Sequence, residues 1–211
     1  MVTLYQCMQE ESAAANRLDN KIVEKSIKLL KNCSDNNKKL ILTGVGKSLI
    51  VARKLAAIFT SIGLTAIYLN TLDALHCDLG IVDIEEDDVC IIISNSGETK
   101  ELVQLIPYLK NKGAKKLGIL GKIHSAIASQ IDIILNASVN KEICTLNLAP
   151  TASNTIAMEI GDALGVVCIE RIGISEKDFA INHPSGNLGK ELTLKFEDLM
   201  KHRDELRPYS L

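Results

Sequence analysis

Two short segments combine glycine, hydroxyl and charged residues in a pattern suited to binding an anion. Residues 43–48 read T-G-V-G-K-S and residues 94–99 read S-N-S-G-E-T. Each follows an apolar run and precedes a helical pattern. Glycine lets the backbone approach a ligand closely, Lys47 adds a cation, and the free N–H groups of a helix N-terminus favour negative charge. Both segments therefore predict phosphate binding.

Two common nucleotide motifs do not fit the first segment. A P-loop needs glycine at position 41, which is Ile41, and the dinucleotide fingerprint needs its third glycine at position 49, which is Leu49. The second segment has a simpler alternative, in which Ser94 or Ser96 caps the following helix and Glu98 interacts with its dipole. The number of hydroxyls in the segment favours phosphate binding and helix capping equally.

Acid and base candidates occur in three further places. His76 lies in D-A-L-H-C-D-L-G at 73–80, Glu142 follows the last apolar run, and His183 lies in the turn-rich N-H-P-S-G segment. A histidine in a loop is more often structural than catalytic. His76 and Cys77 are both zinc-ligand types, but adjacent side chains rarely chelate one ion well, so we expect no required metal and leave an inhibitory zinc ion at His76 open.

The elements that position these residues alternate along the chain. Five short aliphatic runs predict strands, at residues 40–42, 66–69, 89–93, 117–120 and 131–135. Helical patterns lie between the first and second runs, at 48–61, and between the third and fourth, at 99–112. This alternation predicts an α/β fold, a three-layer sandwich with a five-stranded parallel sheet flanked by helices. Ligands of such sheets bind at the carboxyl ends of the strands, where the candidate loops lie.

The whole chain, residues 1–211, is expected to form a single domain. It begins with a helical arm at about 1–34, capped internally by Asp19 or Asn20, continues with an α/β core at about 35–195, and ends in a polar tail. A further helix is predicted over 151–171. It is apolar on more than one face, which is typical of a helix packed in a deep core or against a partner subunit.

Composition narrows the classes of partner. The formal net charge is −2, and the chain has 4 Tyr, 3 Phe and no Trp, which argues against a nucleic-acid interface. The six cysteines form no C-x-x-C pair, the N-terminus lacks a signal-peptide pattern, and no stretch approaches 18 uninterrupted apolar residues. We therefore expect reduced thiols, a cytoplasmic location and no membrane partner.

The motifs together resemble the sugar isomerase (SIS) domain family, and within it the D-arabinose 5-phosphate isomerases. The similarity covers roughly residues 35–195 in order and spacing, through G-x-G-K-S at 44–48, S-N-S-G-E-T at 94–99, A-x-H-C-D-L-G at 74–80, K-E-x-C at 141–144, L-A-P-T at 148–151 and the segment 179–189. The resemblance implies interconversion of D-ribulose 5-phosphate and D-arabinose 5-phosphate through an enediolate. That reaction is the first step towards the acid sugar Kdo of lipopolysaccharide or capsule, and it needs no cofactor.

The resemblance also implies roles for individual residues. The substrate and its phosphate are assigned to Gly46, Ser48, His76, Ser94, Asn95, Ser96 and Thr99, and the chemistry to Lys47, Glu98, Glu142 and His183. Glu142 is favoured as the base, and Glu98 as a group that orients the substrate or shuttles a proton between hydroxyls. A base that works at neutral pH would gain from a raised pKa. His183 is assigned to ring opening, and Lys47 to the enediolate or the phosphate. The long helix would build a homo-oligomer, a tetramer, whose sites are shared between subunits.

Two alternatives stay open. Another SIS isomerase, acting on a hexulose or heptose phosphate, would use similar phosphate loops, and a non-catalytic phosphosugar sensor would need no base. Many relatives continue into a pair of cystathionine-β-synthase-type modules, whereas this sequence stops soon after the SIS region. We therefore expect that control through such modules is absent.

Overall fold

The structure, a computed structural model, describes residues 18–183. Its strands are β1 (Leu40–Gly44), β2 (Ala66–Asn70), β3 (Val89–Ser94), β4 (Lys115–Leu120) and β5 (Ile133–Asn136). Its α-helices are α1 (Asn20–Asp35), α2 (Lys47–Ser61), α3 (Thr71–Asp73), α4 (Leu79–Val82), α5 (Lys100–Asn111), α6 (Ala152–Ile172) and α7 (Glu176–Ile181). A π-helical turn, Ala74–Asp78, joins α3 to α4, and a 3₁₀ turn, Ala128–Gln130, precedes β5.

The five strands form one sheet in the order β2-β1-β3-β4-β5, and every neighbouring pair is parallel. Every residue of β1 and β3 is buried, because these strands lie inside the sheet and are covered on both faces. The predicted parallel sheet is therefore confirmed. The strands differ from the predicted runs by one or two residues at their ends.

Helices cover both faces of the sheet. One apolar cluster packs α1, α2 and α6 against the first face, and a second packs α5 and the helical segment 71–82 against the other. The predicted three-layer arrangement is thus what the structure has. The described part of the predicted arm is α1, whose N-cap Asp19 accepts a hydrogen bond from the N–H of Lys21. Residues 1–17 of the arm and the polar tail lie outside the described residues.

Helix α6 is long and apolar enough to cross a membrane by length and composition, although the chain has no uninterrupted apolar run of that size. Half of its most apolar 18-residue window is buried inside the fold, against α1 and α2. Gly161 makes the contact with α2 close, since a Cβ there would lie 2.2 Å from Leu55. Lys54 of α2 and Asp162 of α6 form an ion pair across the same contact. Helix α6 is therefore built into the core, as its apolar faces predict.

Two helical segments were not predicted by the sequence patterns. Residues 71–82 form the irregular α3, π-turn and α4 run, and α7 begins with a capping box in which Ser175 and Asp178 bond each other's backbone N–H groups. The first segment changes helix type twice and the second has only six residues, so neither shows a regular helical period. The first is tied to β1, because the Thr71 hydroxyl donates to the Gly44 carbonyl at 2.9 Å. This bond fixes the end of β1 where the first glycine-rich loop begins.

Candidate active site

A cavity of about 390 Å³ opens at the carboxyl ends of β1 and β3. The strand order reverses between these two strands, and ligands of open parallel sheets bind at such a point. Three helices, α2, α5 and α6, start beside this cavity. The residues that line it are Val45, Lys47, Ser48, Ile93, Ser94, Asn95, Ser96, Thr99, Glu142, Asn147, Leu148, Pro150 and Asn154.

The loop after β1 presents a cation and a hydroxyl to the cavity. Its Gly46 has φ +61° and ψ −124°, a conformation that residues with a Cβ rarely adopt, and it is the N-cap of α2. Lys47 and Ser48 are therefore the first two residues of the helix. Within residues 18–183, Lys47 forms no salt bridge. A cation at the positive end of a helix, with no acidic partner in the described chain, suits an anionic ligand.

The loop after β3 is folded by its own serines. The Ser94 hydroxyl accepts from the Gly97 N–H at 3.0 Å, and the Ser96 hydroxyl accepts from the Glu98 N–H at 3.2 Å. The N-cap of α5 is Thr99, and no side chain caps that helix. The simple capping alternative is thus not what the structure has. Ser94, Ser96 and Thr99 instead line the cavity beside the start of α5.

The opposite wall carries the carboxylate of Glu142, which is 9% exposed. Its Oε2 accepts from the Thr151 N–H at 2.8 Å, the Thr151 hydroxyl at 3.1 Å and the Ser153 N–H at 3.3 Å. Among residues 18–183, its Oε1 has one hydrogen-bond partner, the Asn95 side-chain amide, at 3.4 Å. One oxygen is therefore anchored at the N-terminus of α6, and the other is free to act on a ligand in the cavity.

The donors around Glu142 determine its protonation. Burial acts to raise the pKa of this carboxyl, but the polar groups of Ser153 and Thr151 outweigh burial and hold the pKa below its ordinary value. The sequence does not reveal that this carboxylate lies at a helix N-terminus, where the donors lower its pKa. Glu142 is ionised at neutral pH and competent to accept a proton.

Asn147 and Gly121 position this wall, and sequence reasoning missed both. The Asn147 side chain accepts from the Glu142 N–H at 2.6 Å, and its backbone has φ +53°, which asparagine tolerates better than most residues. A Cβ at Gly121 would lie 2.0 Å from Oδ1 of Asn95 and 2.6 Å from its carbonyl oxygen. Asn154, also missed, lines the cavity from the first turn of α6. The K-E-x-C and L-A-P-T motifs were the signals that this loop borders the site.

Besides Gly46, the N-cap of α2, three predicted site residues do not line the cavity. Glu98 is exposed, and its Oε1 accepts from the Ala126 N–H at 3.0 Å. His76 is exposed on the π-helical turn. His183 lines a separate groove beside the last turns of α2, a helix about 22 Å long. Its ring stacks on Phe179 at 4.1 Å, and its Nδ1 lies 2.8 Å from the Phe179 carbonyl. Within one chain, none of the three lines the cavity.

The described residues contain no group of three or more His, Cys, Asp or Glu side chains that could hold a metal ion. Cys77, next to His76, is exposed, and its thiol lies 3.4 Å from the Asp78 carboxylate. That neighbour raises the pKa of the Cys77 thiol. The inhibitory zinc ion at His76 stays a prediction.

Residues 35–167 match the SIS domain family, and the chain belongs to that family. It is 41% identical over 162 residues to an arabinose 5-phosphate isomerase, KdsD, of Pseudomonas aeruginosa. This alignment covers 77% of this chain and 49% of the relative. It is 37% identical over 206 residues to an arabinose 5-phosphate isomerase, KpsF, of Escherichia coli, which covers 96% of this chain and 62% of the relative. The chain thus spans about half to three fifths of these curated relatives.

The fold is also similar to solved structures. An E. coli CFT073 protein, solved in complex with arabinose 5-phosphate, superposes with a TM-score of 0.75 at 37% identity, over 84% of this chain and 93% of that one. The five-stranded parallel sheet flanked by helices is therefore that of the SIS family.

Proposed function

We propose that this protein is an arabinose-5-phosphate isomerase, which interconverts D-ribulose 5-phosphate and D-arabinose 5-phosphate. The observation that carries the proposal is one cavity with a cation and four hydroxyls on one side and a single carboxylate, Glu142, on the other. A phosphosugar has the matching polarity, with an anionic end and an acidic C–H next to a carbonyl. The relatives named arabinose 5-phosphate isomerase support this choice of substrate.

The phosphate binds at the side of the cavity where the electrostatic potential is most positive. Helices α2 and α5 both start at the cavity, and neither N-terminus is capped by a side chain. Their N–H groups, Lys47 and the hydroxyls of Ser48, Ser94, Ser96 and Thr99 stabilise a dianion there. At α6, the positive N-terminus already interacts with the Glu142 carboxylate, so the phosphate binds at α2 and α5 instead. This division of charge orients the sugar with its reacting carbons towards Glu142.

Glu142 then moves the proton between two carbons. Oε1 takes the proton from C2 of the aldose, and the C–H electron pair forms the C1–C2 double bond while the carbonyl electrons move to O1. The resulting enediolate is stabilised by the Asn95 amide, which lies beside Oε1. The carboxylic acid returns its proton to C1 as the C2–O2 carbonyl forms and the O2 proton passes to O1. The reaction is redox-neutral overall and needs no cofactor.

His183 is proposed to act in the cavity of a neighbouring subunit. It lies at the far end of α2 from its own cavity, so a contribution to ring opening requires a second chain. Glu98 and His76, both exposed beside the cavity-forming loops, would complete such a shared site. The proposed assembly is a homotetramer in the cytoplasm, and the proposed fate of the product is Kdo synthesis.

Incubation with D-ribulose 5-phosphate in deuterium oxide tests the activity. We expect deuterium at C2 of newly formed D-arabinose 5-phosphate, detected by NMR. Binding of the phosphosugar without exchange or product would instead identify a non-catalytic sensor. Turnover of a hexulose or heptose phosphate but not of the pentose would identify a different SIS isomerase.

The residue assignment is tested with a matched pair of variants. Glu142→Gln is expected to lower kcat by more than about tenfold, since an amide cannot accept the proton. Glu98→Gln, an isosteric change in the loop after β3, is expected to retain more activity than Glu142→Gln. Full activity in Glu142→Gln together with loss in Glu98→Gln would transfer the base role to Glu98.

A further inference from the structure

A small polar void adjoins the cavity and shares five of its ten lining residues with it. Its volume is about 10 Å³ for the centre of a water molecule, so it admits one water and no larger ligand. Ser48, Ser94, Asn95, Ser153 and Asn154 supply its polar lining, and the remainder is apolar or glycine. An internal site with several polar partners is the kind that holds an ordered water.

Ser153 provides the second observation. Its residue is 4% exposed, and its hydroxyl has no hydrogen-bond partner among the described residues. The hydroxyl lies close enough to the Glu142 carboxylate to help lower its pKa, but the two do not have hydrogen-bond geometry. Leaving a buried hydroxyl unpaired is unfavourable, so nearly all such groups in folded proteins have a partner. Ser153 lines the void and does not line the larger cavity.

The neighbouring side chains offer further hydrogen-bond partners for a water molecule in the void. The side-chain amide of Asn154 also makes no hydrogen bond within the described residues, and it borders both the void and the cavity. On the other side of the void, Ser48 begins α2 and Ser94 ends β3. Hydroxyls can donate or accept as required, so these four side chains can satisfy a water from two opposite walls.

We infer that one internal water occupies this void, bonded to Ser153 and Asn154 on one wall and to Ser48 and Ser94 on the other. This water joins the first turn of α6 to the loops that precede α2 and α5. The α6 turn anchors Glu142 through the Ser153 N–H, and the other two loops carry the hydroxyls of the anion end. The water therefore holds the two halves of the cavity at a fixed separation.

High-resolution crystallography of the full chain tests the site directly. We expect a density peak about 2.7–3.2 Å from the Ser153 hydroxyl and from at least one of Ser48, Ser94 and Asn154. A void without density, or a Ser153 hydroxyl bonded instead to a protein group such as the Glu142 carboxylate, would overturn the inference. This measurement needs no ligand, so it decides the water site even if the isomerase proposal fails.

Variants give an independent readout. If the Ser153 hydroxyl were truly unpaired, Ser153→Ala would raise Tm, whereas loss of a water-bonded hydroxyl leaves Tm unchanged or lowers it. We expect the second result, together with about threefold to tenfold weaker binding of D-arabinose 5-phosphate by calorimetry. The matched control is Ser26→Ala, since Ser26 is a fully buried helical serine whose hydroxyl donates to the Ile22 carbonyl at 2.9 Å and which does not line the cavity. A raised Tm, or unchanged binding in Ser153→Ala, would contradict the proposal.

Discussion

The side-chain amide of Asn95 donates to Oε1 of Glu142 at 3.4 Å, and so joins the loop after β3 to the loop that precedes α6. The two residues are 47 positions apart, and this contact links the carboxylate to the loop at the carboxyl end of β3. It leaves Oε1 weakly bonded while Oε2 is held by three donors from Thr151 and Ser153. An unequal division of this kind suits a carboxylate that must stay in place and still accept a proton.

Replacing Asn95 by aspartate puts a like charge next to Glu142 at the same distance. Repulsion between carboxylates favours the protonated form, so the pKa of Glu142 rises. We expect the acid limb of the pH profile of kcat/KM to move to higher pH in Asn95→Asp, and kcat at neutral pH to fall. Asn95→Ala serves as the control, because it removes the donor without adding charge. The same acid limb in both variants would show that a charge at position 95 does not act on Glu142.

Glu142 also links stability to pH. Its folded pKa lies below the unfolded value, so its contribution is fully present above about pH 4.3 and is lost as the pH falls through the folded pKa. At neutral pH, Glu142→Gln is expected to cost about 1–3 kcal/mol of unfolding free energy, since three donors lose a charged acceptor. Urea unfolding at several pH values should show this difference shrink below a pH of about 4. A difference independent of pH would mean that the charge of Glu142 contributes nothing.

Gly121 is expected to be indispensable to the site although it does not line the cavity. An added Cβ would lie 2.6 Å from the Asn95 carbonyl oxygen, which a side-chain rotation cannot relieve. Gly121→Ala should therefore displace Asn95, lower kcat/KM by more than about tenfold and cost about 1–3 kcal/mol of stability. Gly80→Ala is the stability control, because a Cβ there meets nothing within 4 Å and the backbone is helical. Wild-type kinetics in Gly121→Ala would show that the loop can shift without loss of function.

The sequence predicts the fold better than it predicts the contacts that position Glu142 and Asn95 at the cavity. Buried parallel strands appear as continuous aliphatic runs, so β1 and β3 can be recognised directly, and the loops that follow them must then meet at one edge of the sheet. The contacts of Asn147 with Glu142 and of Gly121 with Asn95 have no such signature. They depend on how loops of irregular length fold over the edge, and no periodic spacing encodes that. The same reason explains why α7, only six residues long, was not predicted.

His183 shows that a sequence motif does not locate a residue relative to the cavity of its own chain. Its segment is a recognisable motif, yet within the described chain its ring stacks on Phe179, away from the cavity. A pattern along one chain does not reveal whether a residue serves its own site or that of a second copy.

Cys144 should be the most reactive of the described cysteines. Its sulfur accepts from the N–H groups of Ala149 and Leu148, both at 3.1 Å, and these bonds lower the pKa of the thiol. Iodoacetamide at neutral pH, followed by mass spectrometry, should therefore label Cys144 first. Burial raises the pKa of the remaining inner thiols, to about 12 for Cys33 and Cys90 and about 11 for Cys168.

Labelling of Cys144 should also impair activity. The two N–H groups hold the loop that places Leu148 against the cavity, and an alkylated sulfur cannot accept both bonds in the same geometry. Cys144→Ser is expected to resist inactivation while retaining most of its kcat. Inactivation of that variant at the unmodified rate would assign the effect to another cysteine, such as the exposed Cys77.

Asn147 combines two functions that a pair of variants can separate. Its backbone has φ +53°, and its side chain accepts from the Glu142 N–H at 2.6 Å. Asn147→Gly keeps the backbone conformation accessible but loses the acceptor, whereas Asn147→Ala loses the acceptor and also strains the backbone. We expect both variants to lower kcat to a similar extent, because both release Glu142. Asn147→Ala should in addition be less stable than Asn147→Gly by about 1 kcal/mol in urea unfolding. Wild-type turnover in Asn147→Gly would mean that Glu142 is positioned by Thr151 and Ser153 alone.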